Sequence, residues 1–149
     1  MRFAQIAWVI ALFSTEVAAF EPAHLTQLTN THECFNCDLS GADLSGAALQ
    51  GADLKLANLK GAQLENSNLK QSTLAEAELT GANLSGTNLE GANLWYGKLQ
   101  AANLSNAKVS EANLFAADLK GANLRFAHLK GANLSNANLQ FVDLTLAQL

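Results

Sequence analysis

The chain is 149 residues long and carries nine Lys plus Arg against thirteen Asp plus Glu, a formal net charge of −4 at pH 7. That balance offers no basic stripe for a phosphate backbone, which disfavours nucleic acid as a partner. After residue 13 no segment is continuously apolar over the roughly 20 residues that a spanning helix requires, so no membrane span is expected in the mature protein.

At the N-terminus Arg2 precedes an apolar run over residues 3–13, and Val17, Ala18 and Ala19 then supply the small side chains that a signal peptidase reads. This pattern predicts a signal peptide over residues 1–19, cut after Ala19. An uncleaved anchor is the competing reading, but eleven mostly apolar residues are too few to span a bilayer. Loss of Arg2 and Glu16 would leave eight Lys plus Arg and twelve Asp plus Glu, again net −4, in an exported chain.

Residues 20–34 are the next unit. They suit a short helix, with Pro22 at a first-turn position and Leu25 and Leu28 three apart on one side. Residues 20–33 do not follow the rhythm that begins immediately afterwards.

From residue 35 to 149 leucine governs the pattern: it occupies every fifth position from Leu39 to Leu149 in 22 of 23 cases, with Val109 as the substitute. A helix turning about 100° per residue would smear such leucines around its whole surface. A straight strand, with its two-residue alternation, would send successive ones to opposite faces. A five-residue interval keeps them all inside only if the chain turns a corner once per repeat and winds around a common axis. Two residues before each leucine the side chain is Ala in 17 of 23 repeats and never larger than valine. The residue just before the leucine is Asn or Asp in 15 of 23, types whose side chains bond nearby backbone and stabilise turns. The only proline, Pro22, lies outside the repeats, where it deletes no ladder donor.

Runs such as Ala82-Asn83-Leu84-Ser85-Gly86 and Ala132-Asn133-Leu134-Ser135-Asn136 resemble the A(D/N)LXX unit of pentapeptide repeat proteins, and the resemblance covers residues 35–149. It implies an all-β fold, a right-handed quadrilateral β-helix in which four repeats, or 20 residues, make one coil. Glycines at 41, 61, 81 and 121, with Ala101 in the gap, keep that interval. Trp95 and Phe115, also 20 apart, are predicted to stack on one wall, a ladder spacing of about 4.7–4.9 Å from each other. The 23 repeats would make about six coils and a rod about 28 Å long.

The ends of a solenoid expose core and unpaired edge unless capped, and the predicted helix within 20–34 can lie across the first coil as a short N-terminal cap. Counted back in the same register, Cys34 falls on a leucine position and Cys37 on an alanine position, so both are expected to point inward and close together. In an oxidising compartment they suit a disulfide tying cap to first coil; two buried free thiols are the alternative. A zinc site is disfavoured, because His32, Cys34 and Cys37 make three nearby candidates where four are needed. Haem attachment is disfavoured because Asp38 stands where His is required, and no cofactor is expected. At the other end Phe126, Phe141, Leu146 and Leu149 turn the last coil apolar on the outside, an expected surface for a homodimer with two-fold symmetry or else a frayed end.

No catalytic constellation emerges. His24 and His32 belong to the cap and His128 to an outward position, and Ser40, Ser45, Ser85, Ser105 and Ser110 follow leucines at outward positions. Gly-rich pairs such as Ser40-Gly41 are corners, not phosphate loops, which need a strand-to-helix setting. One wall differs from the others: the wall built on Leu54, Leu74, Leu94, Leu114 and Leu134 has no corner glycine and presents Leu56, Trp95, Tyr96 and Phe115 outward. Clustered exposed aromatics are candidates for recognition, against the plainer reading that they shield the ladder.

The expectation is therefore an exported, non-catalytic scaffold or protein-interaction module with an unidentified protein partner. Exported proteins of similar pattern, with a helix and paired cysteines ahead of the first Asp-Leu-Ser-Gly unit, are associated with the periplasm or thylakoid lumen; secretion is the third destination. The rival reading, from cytoplasmic proteins of the family that imitate DNA, is a topoisomerase inhibitor. It fits poorly, since Asp38, Glu78 and Asp118 on one wall are interleaved with Lys60, Lys98 and Lys120.

Overall fold

The computed structural model describes residues 20–149, so the signal-peptide expectation for 1–19 lies outside the described residues. Helix α1 spans Pro22–Thr31. Proline starts it where the missing N–H has no helical partner to lose. His32, at φ 57, ends it in the left-handed region and returns its N–H to the Leu28 carbonyl. Leu25 and Leu28 are its buried residues, and both join the leucine core that follows.

From Glu33 onward the backbone pairs in parallel with the chain twenty residues further on, beginning with Glu33↔Asp53 and ending with His128↔Gln148. Each pentamer also closes a turn, as where the Ala42 N–H donates to the Leu39 carbonyl at 3.0 Å. The second residue after each leucine has positive φ at every corner from Asn36 to Leu146, which with the i to i+3 bond defines a type II turn. Twenty residues between paired positions, divided by five per turn, gives four corners per circuit. The architecture is a four-sided β-helix.

Backbone hydrogen bonds join each circuit to the next. Leu39 and Gly41 donate forward to the carbonyls of Asn58 and Lys60 at 2.8 and 2.9 Å, and Asn58 donates back to Cys37 at 2.8 Å. This three-bond pattern recurs along the walls and satisfies main-chain groups that the winding would otherwise bury unpaired. Asn and Asp side chains act twice. Asn83 Oδ1 accepts the Ser85 N–H at 3.2 Å, holding its own turn, and also accepts from Asn103 Nδ2 at 3.1 Å, linking one circuit to the next.

The leucine column is fully buried from Leu39 to Leu129, with alanine packed beside it. Where a polar residue replaces alanine, its hydroxyl turns to a carbonyl: Ser72 donates to Leu69 and Thr87 to Leu64, both at 2.7 Å. Ser67 Oγ is buried with no partner among the described residues. Coverage of the column falls in the final circuit. Leu134 and Leu144 are only partly covered, Leu139 is 39% exposed and Leu149 is 83% exposed, because no further circuit of described residues stacks on them.

The cysteine bridge also needs correction in its role. Cys34 and Cys37 are joined, with Cα atoms 5.2 Å apart. Cys34, however, already belongs to the ladder, its N–H donating to the Asp53 carbonyl at 2.7 Å. The bond therefore spans a single corner turn around Asn36 rather than tying cap to coil. The cap is held by other means: burial of Leu25 and Leu28, a bond from the Asp38 N–H to His24 Nδ1 at 3.0 Å, and one from Gln27 Nε2 to the Glu33 carbonyl at 2.9 Å.

Candidate interaction surface

Twenty-residue pairing sets the residues of each wall into vertical columns. On the wall carrying Leu54 to Leu134, the corner column reads Asn36, Leu56, Glu76, Tyr96, Ala116, Asn136. The adjacent column, one residue earlier, reads Phe35, Lys55, Ala75, Trp95, Phe115, Ser135. Backbone bonds stitch the two together: Leu56 N–H to Ala75, Glu76 N–H to Trp95 and Tyr96 N–H to Phe115, at 3.0, 2.8 and 3.0 Å. The ladder thus fixes the relative heights of Leu56, Glu76 and Tyr96 without any help from their side chains.

Their platform is stiffened from the preceding column. Asn93 and Asn113 each accept, at 3.2 Å, the N–H of the aromatic residue two positions on, Trp95 and Phe115. Asn113 Nδ2 then bonds Asn93 Oδ1, and Asn133 Nδ2 bonds Asn113 Oδ1, both at 3.3 Å. Trp95 and Tyr96 meet edge to face, centroids 4.6 Å apart with planes at 89°. Tyr96 meets Phe115 at 6.1 Å and 67°. Trp95 and Phe115, expected to stack directly, are connected through Tyr96. Edge-to-face pairs of this kind contribute about 0.5–1.5 kcal/mol beyond the area they bury.

Trp95 is 40% exposed and Tyr96 50%, whereas Phe115 is half-buried. A shallow open groove runs over this corner, lined by Leu56, Glu76, Trp95, Tyr96 and Lys98. Sequence reasoning singled out Leu56, Trp95 and Tyr96 but missed Glu76 and Lys98. The signal for Glu76 was present, because it lies midway between Leu56 and Tyr96 at the same twenty-residue interval. Lys98 gave none, since it sits on the next wall and reaches the groove only around the corner.

Charge on the groove rim is partly committed. Lys98 Nζ lies 3.1 Å from Glu78 Oε2. The Thr80 hydroxyl donates to the other Glu78 oxygen, and these two contacts, Thr80 first, hold the Glu78 carboxyl below the ordinary carboxylate range. Glu76 is exposed, and its carboxylate has no ion pair among the described residues.

The residues expected at a dimer end lie on the last two circuits. Phe126 and Leu146 share a corner column, with the Arg125 guanidinium 5.6 Å from the Phe126 ring centre, but Phe141 occupies the preceding corner and Leu149 the end of a different wall. Phe141 and Leu149 are nonetheless strongly exposed. Among the described residues no three His, Cys, Asp or Glu side chains gather as metal ligands, and no helix is long and apolar enough to cross a membrane.

The pentapeptide repeats family model matches in eight copies over residues 37–74, 57–95, 97–127 and 112–149. The chain belongs to the pentapeptide repeat family, and its circuits are those of the right-handed β-helix. Among solved structures, it is similar to a pentapeptide repeat protein from the cyanobacterium Cyanothece 51142, with 32% identity over 85% of this chain and 97% of that one and a TM-score of 0.64. It is 31% identical to HetL, involved in heterocyst differentiation regulation in Nostoc sp. strain PCC 7120, over 77% of this chain and 62% of that one, TM-score 0.49. It is 33% identical to a thylakoid lumen pentapeptide repeat protein of Arabidopsis thaliana, over 71% of this chain and 64% of that one, TM-score 0.35. The chain thus spans less than two thirds of the length of the latter two proteins. No curated protein matches it.

Proposed function

We propose that the protein is an exported, non-catalytic scaffold of about six coils whose aromatic wall docks a partner protein. The observation that carries this reading is backbone conformation. Leu56 and Tyr96 hold φ of 59° and 54°, a region that glycine enters freely and larger residues enter at a cost. Glycine would serve the turn there, as it does at Gly61 and Gly81 on the next corner. Phe126, Phe141 and Leu146 hold the same conformation at other corners, but here such side chains cluster with an exposed Trp in one groove, which supports a surface used for contact. Export follows from the Arg2, apolar and Ala19 pattern alone.

DNA mimicry is the weaker alternative. It needs an unbroken negative run, whereas the Lys98–Glu78 and Lys70–Glu90 pairs, at 3.1 and 3.0 Å, interrupt the acidic positions. The test of docking is capture from a periplasmic or lumenal extract. Trp95→Ala should abolish recovery of a specific partner while leaving the melting temperature within about 2–4 °C of the parent, the shift expected for a modest surface loss. Equal recovery by parent and variant would remove the proposal.

A further inference from the structure

The chemistry of the groove narrows what it can hold, an inference that rests on the aromatic wall being the docking surface. Two rings meet at nearly a right angle there, Trp95 and Tyr96, both half open to solvent. Ring faces carry negative potential and attract cations, arginine more often than lysine. Between Leu56 above and Tyr96 below stands Glu76, its carboxylate exposed and without an ion pair among the described residues. The other carboxylate nearby, Glu78, is already engaged by Lys98 and Thr80, so Lys98 brings its positive charge to the rim together with a counter-charge. A flat apolar ring beside an unpaired carboxylate matches one side chain in particular. A guanidinium is planar, stacks on aromatic faces and offers two parallel N–H donors to a carboxylate.

We propose that the groove is a socket for an arginine side chain of a basic partner, with the guanidinium stacked on the Trp95–Tyr96 pair and bonded to Glu76. Leu56 then covers the aliphatic stem, as apolar surface does for long charged side chains elsewhere. The overall charge of −4 draws a basic partner from a distance.

The test is an NMR titration of the full chain with a five-residue peptide carrying one central arginine, and with the same peptide carrying neutral, nearly isosteric citrulline. The indole resonance of Trp95 is the readout, assigned by its loss in Trp95→Phe. A saturable shift is expected with the arginine peptide. Citrulline, or Glu76→Gln with the arginine peptide, should weaken binding about two- to fivefold, the effect of losing an exposed ion pair. Glu111→Gln, a corner carboxylate on a different wall, should leave binding unchanged. Absence of a shift, equal shifts with both peptides, or an unaltered response in Glu76→Gln would overturn the socket. The same variants separate this idea from the docking reading. Partner capture lost in Trp95→Ala but intact in Glu76→Gln rejects arginine and keeps docking; capture intact in Trp95→Ala rejects docking itself.

Discussion

Two neighbouring corners of this β-helix have the same backbone and opposite side chains. One column runs Gly41, Gly61, Gly81, Ala101, Gly121, Phe141; the other runs Asn36, Leu56, Glu76, Tyr96, Ala116, Asn136. Every residue in both columns has positive φ, and every one closes the same type II turn. The fold therefore asks for the same thing in both places, and mostly receives it only in the first. Leu56, Glu76 and Tyr96 each accept roughly 1–2 kcal/mol of left-handed strain and, with Trp95 and Lys98, line the groove.

The comparison is broken most easily from beneath. Leu79 and Leu94 lie two residues before Gly81 and Tyr96, and both are fully buried. Leu79→Ala and Leu94→Ala should each cost about 2–5 kcal/mol in denaturant unfolding. If the core is indifferent to the corner above it, the two losses agree; a markedly smaller loss for Leu94 would mean that the aromatic wall carries load the leucine column does not.

Uniformity of the inner column can be sharpened at Ser67, whose buried hydroxyl has no partner among the described residues. Ser67→Ala should raise stability by about 1–3 kcal/mol, the penalty of an unpaired buried polar group. Ser72→Ala, which removes a 2.7 Å bond to the Leu69 carbonyl, should not. Thermal melts of the two variants read the difference directly.

An added Cβ at Gly81 meets nothing within 4 Å, so Gly81→Ala isolates backbone strain and should cost about 1 kcal/mol. Ala101→Gly, in the same column at φ 55, should return a similar or smaller amount. Opposite signs for the pair would confirm that positive φ, rather than packing, makes glycine the economical choice.

Smallest is the effect of acid. The Glu78 carboxyl titrates below its ordinary range, with Thr80 as the main cause and Lys98 next. Its contribution to stability is therefore present above the ordinary carboxylate pKa and is lost as pH falls through the lowered folded value. Glu78→Gln should flatten the acid limb of melting temperature against pH, by less than about 1 kcal/mol for so exposed a pair, and leave behaviour near neutrality almost unchanged.

Much of this molecule is legible in one dimension. Leu39 to Leu129 are where the five-residue rhythm puts them, and Gly41, Gly61 and Gly81 mark a twenty-residue circuit because only local sterics are involved. Asn83 and Asp38 hold their turns as short polar side chains do. Less legible were Cys34 and Cys37, close as foreseen but spanning a turn inside the ladder, since pairing begins earlier than the repeat signature. Lys98 was invisible as a groove residue, because joining it to Trp95 requires knowing how far a side chain reaches around a corner.

By itself the sequence determined the winding: an odd, unbroken apolar interval is compatible with neither helix nor flat strand, so the chain must bend every five residues. Only the tertiary structure decided which surfaces are covered and which meet. Burial of Leu139 or Leu149 depends on whether another circuit lies against it, and the groove exists because Leu56, Glu76 and Trp95, distant along the chain, are carried to one place by three different circuits. Periodicity is a property of neighbours in sequence; exposure is a property of neighbours in space.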